Sequence, residues 1–401
     1  MSEKPEKSKI FYVIGSLLVG GAEKHISMVA PALVKRGYRV VVYNLSGDSV
    51  LGDAMADAGV KIVSPPFRLP ASRLRFVRGM ALAVSSLKLF LLFLFERPPI
   101  VHFFLPQAYI VGAIAARCAG LSGLIMSRRS LNAYQAHHPM LARLERRLHR
   151  HMRLVIANSK RVLAELRDDE KIPADKLGLI HNGIELGLFD QPFDAMPKRA
   201  ELGIEPEAKV LVVVANLIPY KGHADLLEAL AGVNTELPDD WVLLAVGRDD
   251  GIGDTLSLKA DGLELADKVS FLGARDDVPD ILRVSDIGLL CSHEEGFSNA
   301  ILEGMAAGLP MIVTDVGGNA EAVVDGTSGI VVPPHAPDDL GRAIKKLVNN
   351  PALRKRMGAA GQERVRTHFS LDMCVDKYQK LYDHFDSGYV PEELSGKSST
   401  D

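Results

Sequence analysis

The sequence predicts an α/β protein: two Rossmann-like, doubly wound parallel-sheet domains facing a central cleft. Three observations lead there. Short β-branched runs alternate with helical patterns, as in βαβ units. That alternation breaks after Asp190, in the Pro-, Asp- and Glu-rich stretch DQPFDAMPKRAELGIEPEAK, and then restarts. The two halves also open alike, with FYVIGSLLVGGAEKHISMVAPAL in the first and VLVVVANLIPYKGHADLLEAL in the second. Each opening is a buried strand, a Gly-containing loop and an amphipathic helix.

The elements follow in order. Residues 10–14 form a strand, Gly20-Gly21 a loop and 22–36 a helix. Strands are expected at 39–44, 100–104, 124–127, 154–157 and 177–180, then at 210–215, 241–246, 269–272, 287–291, 311–314 and 330–332. These readings give a first domain over 1–190 and a second over 191–365. A terminal helical segment, 366–386, is expected to pack back across the domains. The aperiodic tail 387–401 is expected to be disordered. In sheets of this kind ligands bind at the carboxyl ends of the strands, so two facing sheets would share one cleft.

Composition narrows the class. With 401 residues, 47% hydrophobic and 24% charged, the chain is long and apolar enough for two cores, which excludes disorder as its main state. The three cysteines, Cys118, Cys291 and Cys374, lack disulfide or metal-ligand spacing, which points to a reducing compartment. MSEKPEKSKI has no apolar signal-peptide core, so a cytoplasmic chain is expected. Charge is lopsided: residues 1–190 sum to +12 and the remainder to −15. Between Arg68 and Arg153 stand 14 basic residues and two acidic ones, Glu96 and Glu145. Such a field suits an anionic partner, or else a solvated basic surface. Nucleic acid is not expected, since no binding motif or run of interleaved aromatics accompanies the charge.

Met80 to Phe95 reads MALAVSSLKLFLLFLF. It falls short of the ~20 apolar residues of a spanning helix, Ser85, Ser86 and Lys88 interrupt it, and Glu96-Arg97-Pro98-Pro99 ends it. A buried helix packed on a sheet is expected. The alternative is an interfacial helix on a bilayer, flanked by Arg73, Arg75, Arg78 and Arg97.

The sharpest chemical signal is HEEGFSNAILEGMAAGLPMIVTDVGGNAEAV, His293 to Val323, in which seven residues separate Glu295 from Glu303. Gly296-Phe297-Ser298-Asn299 would lead into a helix whose free N–H groups and partial positive charge suit a phosphate. Helix side chains tilt toward the N-terminus, so Glu303, about one turn in, would aim beside that phosphate and could accept two hydroxyls of a ribose diol. Glu295 would face the group beyond the phosphates. Two surface carboxylates on a helix are the alternative.

EGFSNAILEGMAAGLP followed by TDVGG resembles glycosyltransferase family 4, the retaining enzymes of the GT-B fold. The resemblance covers about residues 8–385 and includes GGAEKHISMVAPALVKRGYRVVV, IANSKRV, LIHNGIE, VANLIPYKGHADLLEAL and VSFLGARDDVPDILRVSDIGLL. It implies an amino-terminal acceptor domain and a carboxyl-terminal nucleotide-sugar domain. It implies that Glu303 binds the donor ribose and Glu295 the donor sugar. The backbone of Gly296, Phe297, Ser298 and Asn299 would meet diphosphate and sugar, and Lys221 would neutralise the diphosphate. Gly20 and Gly21 would approach the same phosphates, while Asn216, Gly247, Arg248, Leu272 and Gly273 would line the donor site. Catalytic candidates are Glu295, Lys221 and His102, the last a histidine expected at a strand end or else structural.

Two departures from the pattern stand out. Where many relatives carry an arginine, this chain has Asn216-Leu217-Ile218, leaving Lys221 alone unless Arg248 or Arg275 substitutes. Where relatives place a histidine, it has Arg128-Arg129-Ser130-Leu131-Asn132, and Arg128 and Arg129 are expected to face the cleft and meet an acceptor phosphate.

The resemblance thus implies transfer of a hexosyl-type sugar from a nucleotide-diphosphate sugar to a hydroxyl acceptor, in polysaccharide, lipopolysaccharide or glycolipid synthesis. No metal or other cofactor is expected. The acceptor would be lipid-linked or a surface-polysaccharide intermediate at the inner face of a membrane, with peripheral contact to anionic lipid. A GT-B-fold nucleotide-sugar epimerase and a catalytically silent nucleotide-sugar-binding subunit are the rival readings. A nicotinamide dehydrogenase does not fit, because neither first strand is followed by GxGxxG.

Overall fold

The computed structural model describes residues 8–66, 75–132, 134–135, 138–385 and 394, in two units. The first comprises Met1–Asn182 with Leu371–Asp401, the second Gly183–Ser370. The chain therefore passes between units at Asn182 rather than 190, and the 190–209 stretch belongs to the second unit, where it forms short helices. Arg68, Arg73 and the side chains of Arg75 and Arg78 lie outside the described residues. So does the tail expected at 387–401 except for Leu394, which is fully buried in the first unit's core.

The first unit carries seven strands: β1 (Lys9–Ile14), β2 (Arg39–Asn44), β3 (Lys61–Val63), β4 (Ile100–Phe104), β5 (Leu124–Arg128), β6 (Leu154–Ala157) and β7 (Leu177–Leu179). They pair in the order β3-β2-β1-β4-β5-β6-β7, all parallel. The second carries β8 (Lys209–Val214), β9 (Trp241–Val246), β10 (Val269–Gly273), β11 (Ile287–Leu290), β12 (Met311–Thr314) and β13 (Gly329–Val332), ordered β10-β9-β8-β11-β12-β13 and again parallel. The winding reverses between β1 and β4, and between β8 and β11. Those are the points where such sheets open a crevice beyond the strand ends.

Continuous apolar strands bury both faces, and alternate residues feed opposite cores. In β1, Phe11 and Val13 join one cluster while Ile10, Tyr12 and Ile14 join the other. In β8, Val210 and Val212 face one way, Leu211 and Val213 the other.

The helices that matter below are α1 (Gly21–Lys35), α2 (Arg75–Glu96), α3 (Pro106–Cys118), α4 (Pro139–His149), α5 (His223–Val233), α6 (Asn299–Ala306), α7 (Pro337–Val348) and α8 (Leu371–Asp383). Helix α8, expected to tie the halves together, belongs to the first unit and packs on α1. It lays Cys374, Val375, Tyr378, Leu381 and Tyr382 into that unit's core.

Helix α2 is longer than the apolar run suggested, and it is not a buried core helix. Only 22% of Gly79–Glu96 is buried. Ala81, Ser85, Leu89 and Phe93, four residues apart, form the inner face. Phe93 meets Phe11 edge-on at 5.2 Å, Ser85 Oγ donates to Leu45 O at 2.9 Å, and Tyr43 OH donates to Ser85 O at 2.8 Å. Lys88 Nζ donates to Ser64 O at 2.6 Å. Ser85 and Lys88, which interrupt the apolar run, are thus side chains that bind the helix down. Phe90 and Leu92 are partly buried against the same core, while Phe76, Val77, Met80, Val84, Leu87, Leu91, Leu94 and Phe95 are exposed, Phe76 by 77% and Phe95 by 80%. By length and composition α2 is the one helix among the described residues apolar enough to cross a membrane.

Candidate functional site

The strand ends of the second unit bring most of the expected donor residues together. After β8 the chain makes a tight turn over Pro219–Lys221 and enters α5 through Gly222, whose φ of 71° lies in the left-handed region. A Cβ there would stand 1.9 Å from the Cys291 carbonyl oxygen, so only glycine lets this turn lie against the segment after β11. His293 N donates to Tyr220 O at 2.7 Å and fastens the two segments. The contact places Lys221 Nζ 2.6 Å from Glu295 Oε1, and Ser292 Oγ donates to the same oxygen at 2.8 Å. Both partners of the ion pair are largely buried, their side chains 18% and 11% exposed. Ser292 carries no motif signal beyond its place three residues before Glu295, and sequence reasoning missed it.

The TDVGG turn after β12 braces the same loop. Gly317, at φ 53°, would drive a Cβ to 2.0 Å from Glu295 O, and Gly318 N donates to Gly296 O at 2.8 Å. Behind it, fully buried Asn319 donates to Thr314 O at 3.0 Å, and Thr314 Oγ1 donates to Ser292 O at 2.5 Å. Gly296–Ser298 then leads into α6. Its N-cap Ser298 is extended (φ −83°, ψ 126°) and gives the helix no side-chain capping bond. The first-turn N–H groups are therefore not met by their own cap. Phe297, Ser298, Asn299 and Glu303 are all buried at this end, and Glu303 follows Asn299 by four residues on the same helix face.

The other donor candidates sit at the neighbouring strand ends. Gly247 N donates to Gly273 O at 2.9 Å, and a Cβ on Gly247 would stand 2.1 Å from Ala215 O. Asn216 Oδ1 accepts from Arg248 N at 3.2 Å, and Leu272 is partly buried against the adjoining core. Both arginines offered as a second cation are paired with carboxylates near the surface: Arg248 Nε donates to Asp250 at 2.7 Å, and Arg275 bonds Asp277 and, at 2.9 Å, Glu201. Lys221 is the most buried of the three cations, its side chain 18% exposed against 50% for Arg248 and 30% for Arg275.

In the first unit the sequence expectations need three corrections. His102 is not a strand-end group: β4 continues to Phe104, and His102 is fully buried in mid-strand. Its Nδ1 bonds Tyr382 OH and its Nε2 bonds Ser127 Oγ, each at 2.8 Å, and burial holds its pKa well below the usual imidazole value. It is a core histidine, not a group that meets substrate.

Arg128 does not face a cleft either. It is 2% exposed, its guanidinium lies 3.3 Å from Glu145 and 3.2 Å from Glu170, and it donates to Tyr134 OH at 2.6 Å. His149, at the end of α4, bonds Glu170 at 2.6 Å and, through its other nitrogen, Tyr109 OH at 2.8 Å. Burial would raise the Glu170 carboxyl, but His149 and Arg128 outweigh it and hold it below its ordinary value. Arg129 points to the other side of the strand and donates to Asn182. It lies near Glu23, Tyr378 and Cys374, and burial lowers its pKa despite them. It is partly exposed.

Gly20 and Gly21 stand where the loop leads into α1. Gly20 is extended (φ −156°), a conformation open to any residue, and Glu23 closes its side-chain space. The space in front of Gly21 is open.

The family profiles agree with this geometry. The profile of "Glycosyltransferase Family 4" matches residues 19–188 and that of "Glycosyl transferases group 1" residues 195–364. The chain belongs to glycosyltransferase family 4. It is 32% identical over 212 residues to the D-inositol 3-phosphate glycosyltransferase of Segniliparus rotundus, covering 52% of this chain and 47% of that protein. It is also 32% identical over 189 residues to the N-acetyl-alpha-D-glucosaminyl L-malate synthase of Bacillus anthracis, covering 47% and 49%. The chain thus spans about half the length of the curated relatives it matches. Among solved structures, Anabaena Alr3699/HepE in complex with UDP-glucose superposes with a TM-score of 0.81 at 22% identity, over 95% of this chain and 100% of that one. This places the two parallel-sheet units in the fold that family-4 proteins share.

The burial of Arg128 makes a prediction that separates a structural from a substrate role. Removing one partner of a buried charge cluster leaves the others uncompensated, at about 3–5 kcal/mol. Arg128→Ala is expected to lower the unfolding free energy by that order, read as a lower urea midpoint at unchanged m-value. A variant of unchanged stability but weakened acceptor affinity would return Arg128 to the substrate.

Proposed function

We propose that this family-4 chain is a retaining glycosyltransferase. It moves a sugar from a nucleotide-diphosphate sugar to a hydroxyl of a lipid-linked or surface-polysaccharide acceptor at the cytoplasmic face of a membrane. The observation that carries the donor half is the Lys221–Glu295 pair beside the uncapped start of α6, with Glu303 one turn in. A departing nucleoside diphosphate gains charge, and a lysine with a helix N-terminus is a preformed sink for it. Glu303 would take the ribose hydroxyls and Glu295 those of the donor sugar. Glu295 is given no nucleophilic role; its Oε1 is held by Lys221 and Ser292, which orients the carboxylate toward the sugar hydroxyls. The donor phosphate itself would accept the acceptor proton. The UDP-glucose bound to the structurally similar Anabaena protein supports a nucleotide-sugar donor.

The acceptor half rests on the outward face of α2 and on the basic surplus that the sequence carries between residues 68 and 153. Apolar residues that enter the acyl boundary, with basic residues attracted to anionic headgroups, make an interfacial anchor. The three free cysteines suit a reducing, cytoplasmic compartment.

Three measurements test these readings. In calorimetric titration with a UDP-sugar, Glu303→Ala is expected to lose about tenfold to a hundredfold in affinity, the worth of a charged hydrogen bond. Unchanged affinity would remove the ribose assignment. Donor binding without turnover on any acceptor would instead mark a silent binding subunit, and isomerised sugar from donor alone an epimerase.

The transfer itself is proposed to need no metal. Activity is expected to persist after dialysis against EDTA, and a loss restored by Mg²⁺ or Mn²⁺ would contradict this.

Flotation with phosphatidylglycerol-containing vesicles is expected to carry the protein at low salt, to release it as salt rises, and to fail with Phe76→Ser/Phe95→Ser. No flotation of the parent protein would remove the membrane part of the proposal.

A further inference from the structure

Beside the donor loop, three side chains from three separate segments converge without a part in the chemistry above. Asp225 lies in the first turn of α5, His293 in the segment after β11, and His335 in the loop between β13 and α7. His293 Nε2 stands 2.9 Å from Asp225 Oδ2, and His335 Nδ1 stands 3.9 Å from the same oxygen. The two imidazole rings lie 3.7 Å apart, centroid to centroid, tilted by 36°. One donor atom from each residue falls within 4.8 Å of the other two, the one such group among the described residues.

The backbone fixes this arrangement in advance. His293 is held through its own N–H on Tyr220 O at 2.7 Å. His335 sits in Pro333-Pro334-His335-Ala336-Pro337, where prolines restrict the chain on both sides, and it takes a left-handed φ of 56° uncommon outside glycine. Helices α5 and α7 pack together, so the loop entering α7 stays beside the start of α5.

We propose that Asp225, His293 and His335 form a transition-metal site for Zn²⁺, separate from the donor-binding groups. Two imidazoles and one carboxylate are a Zn²⁺ donor set rather than one for Mg²⁺ or Ca²⁺, which take oxygen ligands. Bonds of ~2.0–2.2 Å to a tetrahedral ion put ligand atoms ~3.3 Å apart. The two distances to Asp225, 2.9 and 3.9 Å, bracket that value, while the ring centroids, 3.7 Å apart, must open to about 5 Å for both imidazoles to reach one tetrahedral ion. His335, whose side chain is 67% exposed, is the ligand with room to close the difference. Three protein ligands leave one position for water. The ion would not act on the donor. It would clamp the start of α5, just after Lys221, to the segment that reaches Glu295 two residues beyond His293.

The test uses the full chain without a histidine tag, freed of metal by dialysis. Titration with Co²⁺ is expected to give the visible absorption of tetrahedral cobalt with about one equivalent bound, displaced by Zn²⁺. His335→Ala and Asp225→Asn are each expected to weaken binding at least about tenfold, while both variants stay folded by circular dichroism. Zn²⁺ is expected to raise the thermal midpoint of the parent protein and to leave that of His335→Ala unmoved. Absence of binding at micromolar metal, or equal binding by the parent and both variants, would overturn the site.

Discussion

The candidate donor site depends on one steric constraint: the turn after β8 and the segment after β11 touch backbone to backbone at Gly222 and the Cys291 carbonyl. No side chain fits between them. Because they touch, a lysine from one strand end and a glutamate from another, 74 residues apart in sequence, meet at 2.6 Å. The same device recurs at Gly317 against Glu295 O and at Gly247 against Ala215 O. Adjacent strand ends are thus drawn into one rim by glycines where carbonyls approach. A substitution at Gly222 would act on Lys221 and Glu295 together, although it bears no functional atom.

The first unit spends its polar residues differently. Arg128 pairs with Glu145 and Glu170 out of water and His149 hydrogen-bonds Glu170, with Tyr109, Tyr134 and Gln135 supplying further hydrogen bonds. A second buried set runs through His25, Tyr378, Tyr382, Tyr12 and His102, where hydroxyl-to-ring bonds and ring contacts join α1, β1 and β4 to the returning helix α8. Helix α8 is therefore part of the first unit's polar core as well as its apolar one, and the unit is closed by residues from both ends of the chain. Buried networks of this kind are costly when partly satisfied and specify one arrangement when complete.

Much of this was legible in the sequence, for physical reasons that also explain the failures. The parallel strands were visible because both faces are buried, which leaves unbroken apolar runs such as IFYVI and VLVVV. β3 escaped because it has three residues at a sheet edge and begins with an exposed lysine. Glu295 and Glu303 stood out by their spacing ahead of a helix start, which is a local signal, and Lys221 by its match to the family pattern; that Lys221 pairs with Glu295 was not legible, because the two are brought together by packing. Arg128 was misplaced because strand neighbours point to opposite faces, and its partners lie 17 and 42 residues away. His102 was misplaced by two residues of strand. For α2, apolar composition on every side hid which face packs, and the polar Ser85 and Lys88 marked the inner side rather than the outer one.

The ion pair bears on the reaction proposed for the site. Lys221, Arg248 and Arg275 are all paired with carboxylates, and Lys221 is the least exposed of the three, so on the proposed reading a diphosphate would find its strongest cation there, already matched by Glu295. Binding would then be an exchange of anions at one ammonium. The diphosphate would take Lys221, and Glu295 would turn its acceptor oxygens to sugar hydroxyls while keeping Ser292. Neither charge has to be left buried and alone during that exchange, which is the state that costs most. It also makes the lysine's full attraction available only when a phosphate has displaced the carboxylate. From then on the attraction grows with the charge on the leaving group, which is how an interaction favours the transition state over the ground state. A lone lysine can therefore serve where relatives place an arginine beside it, provided that Glu295 stays near enough to hold it in place before the donor arrives.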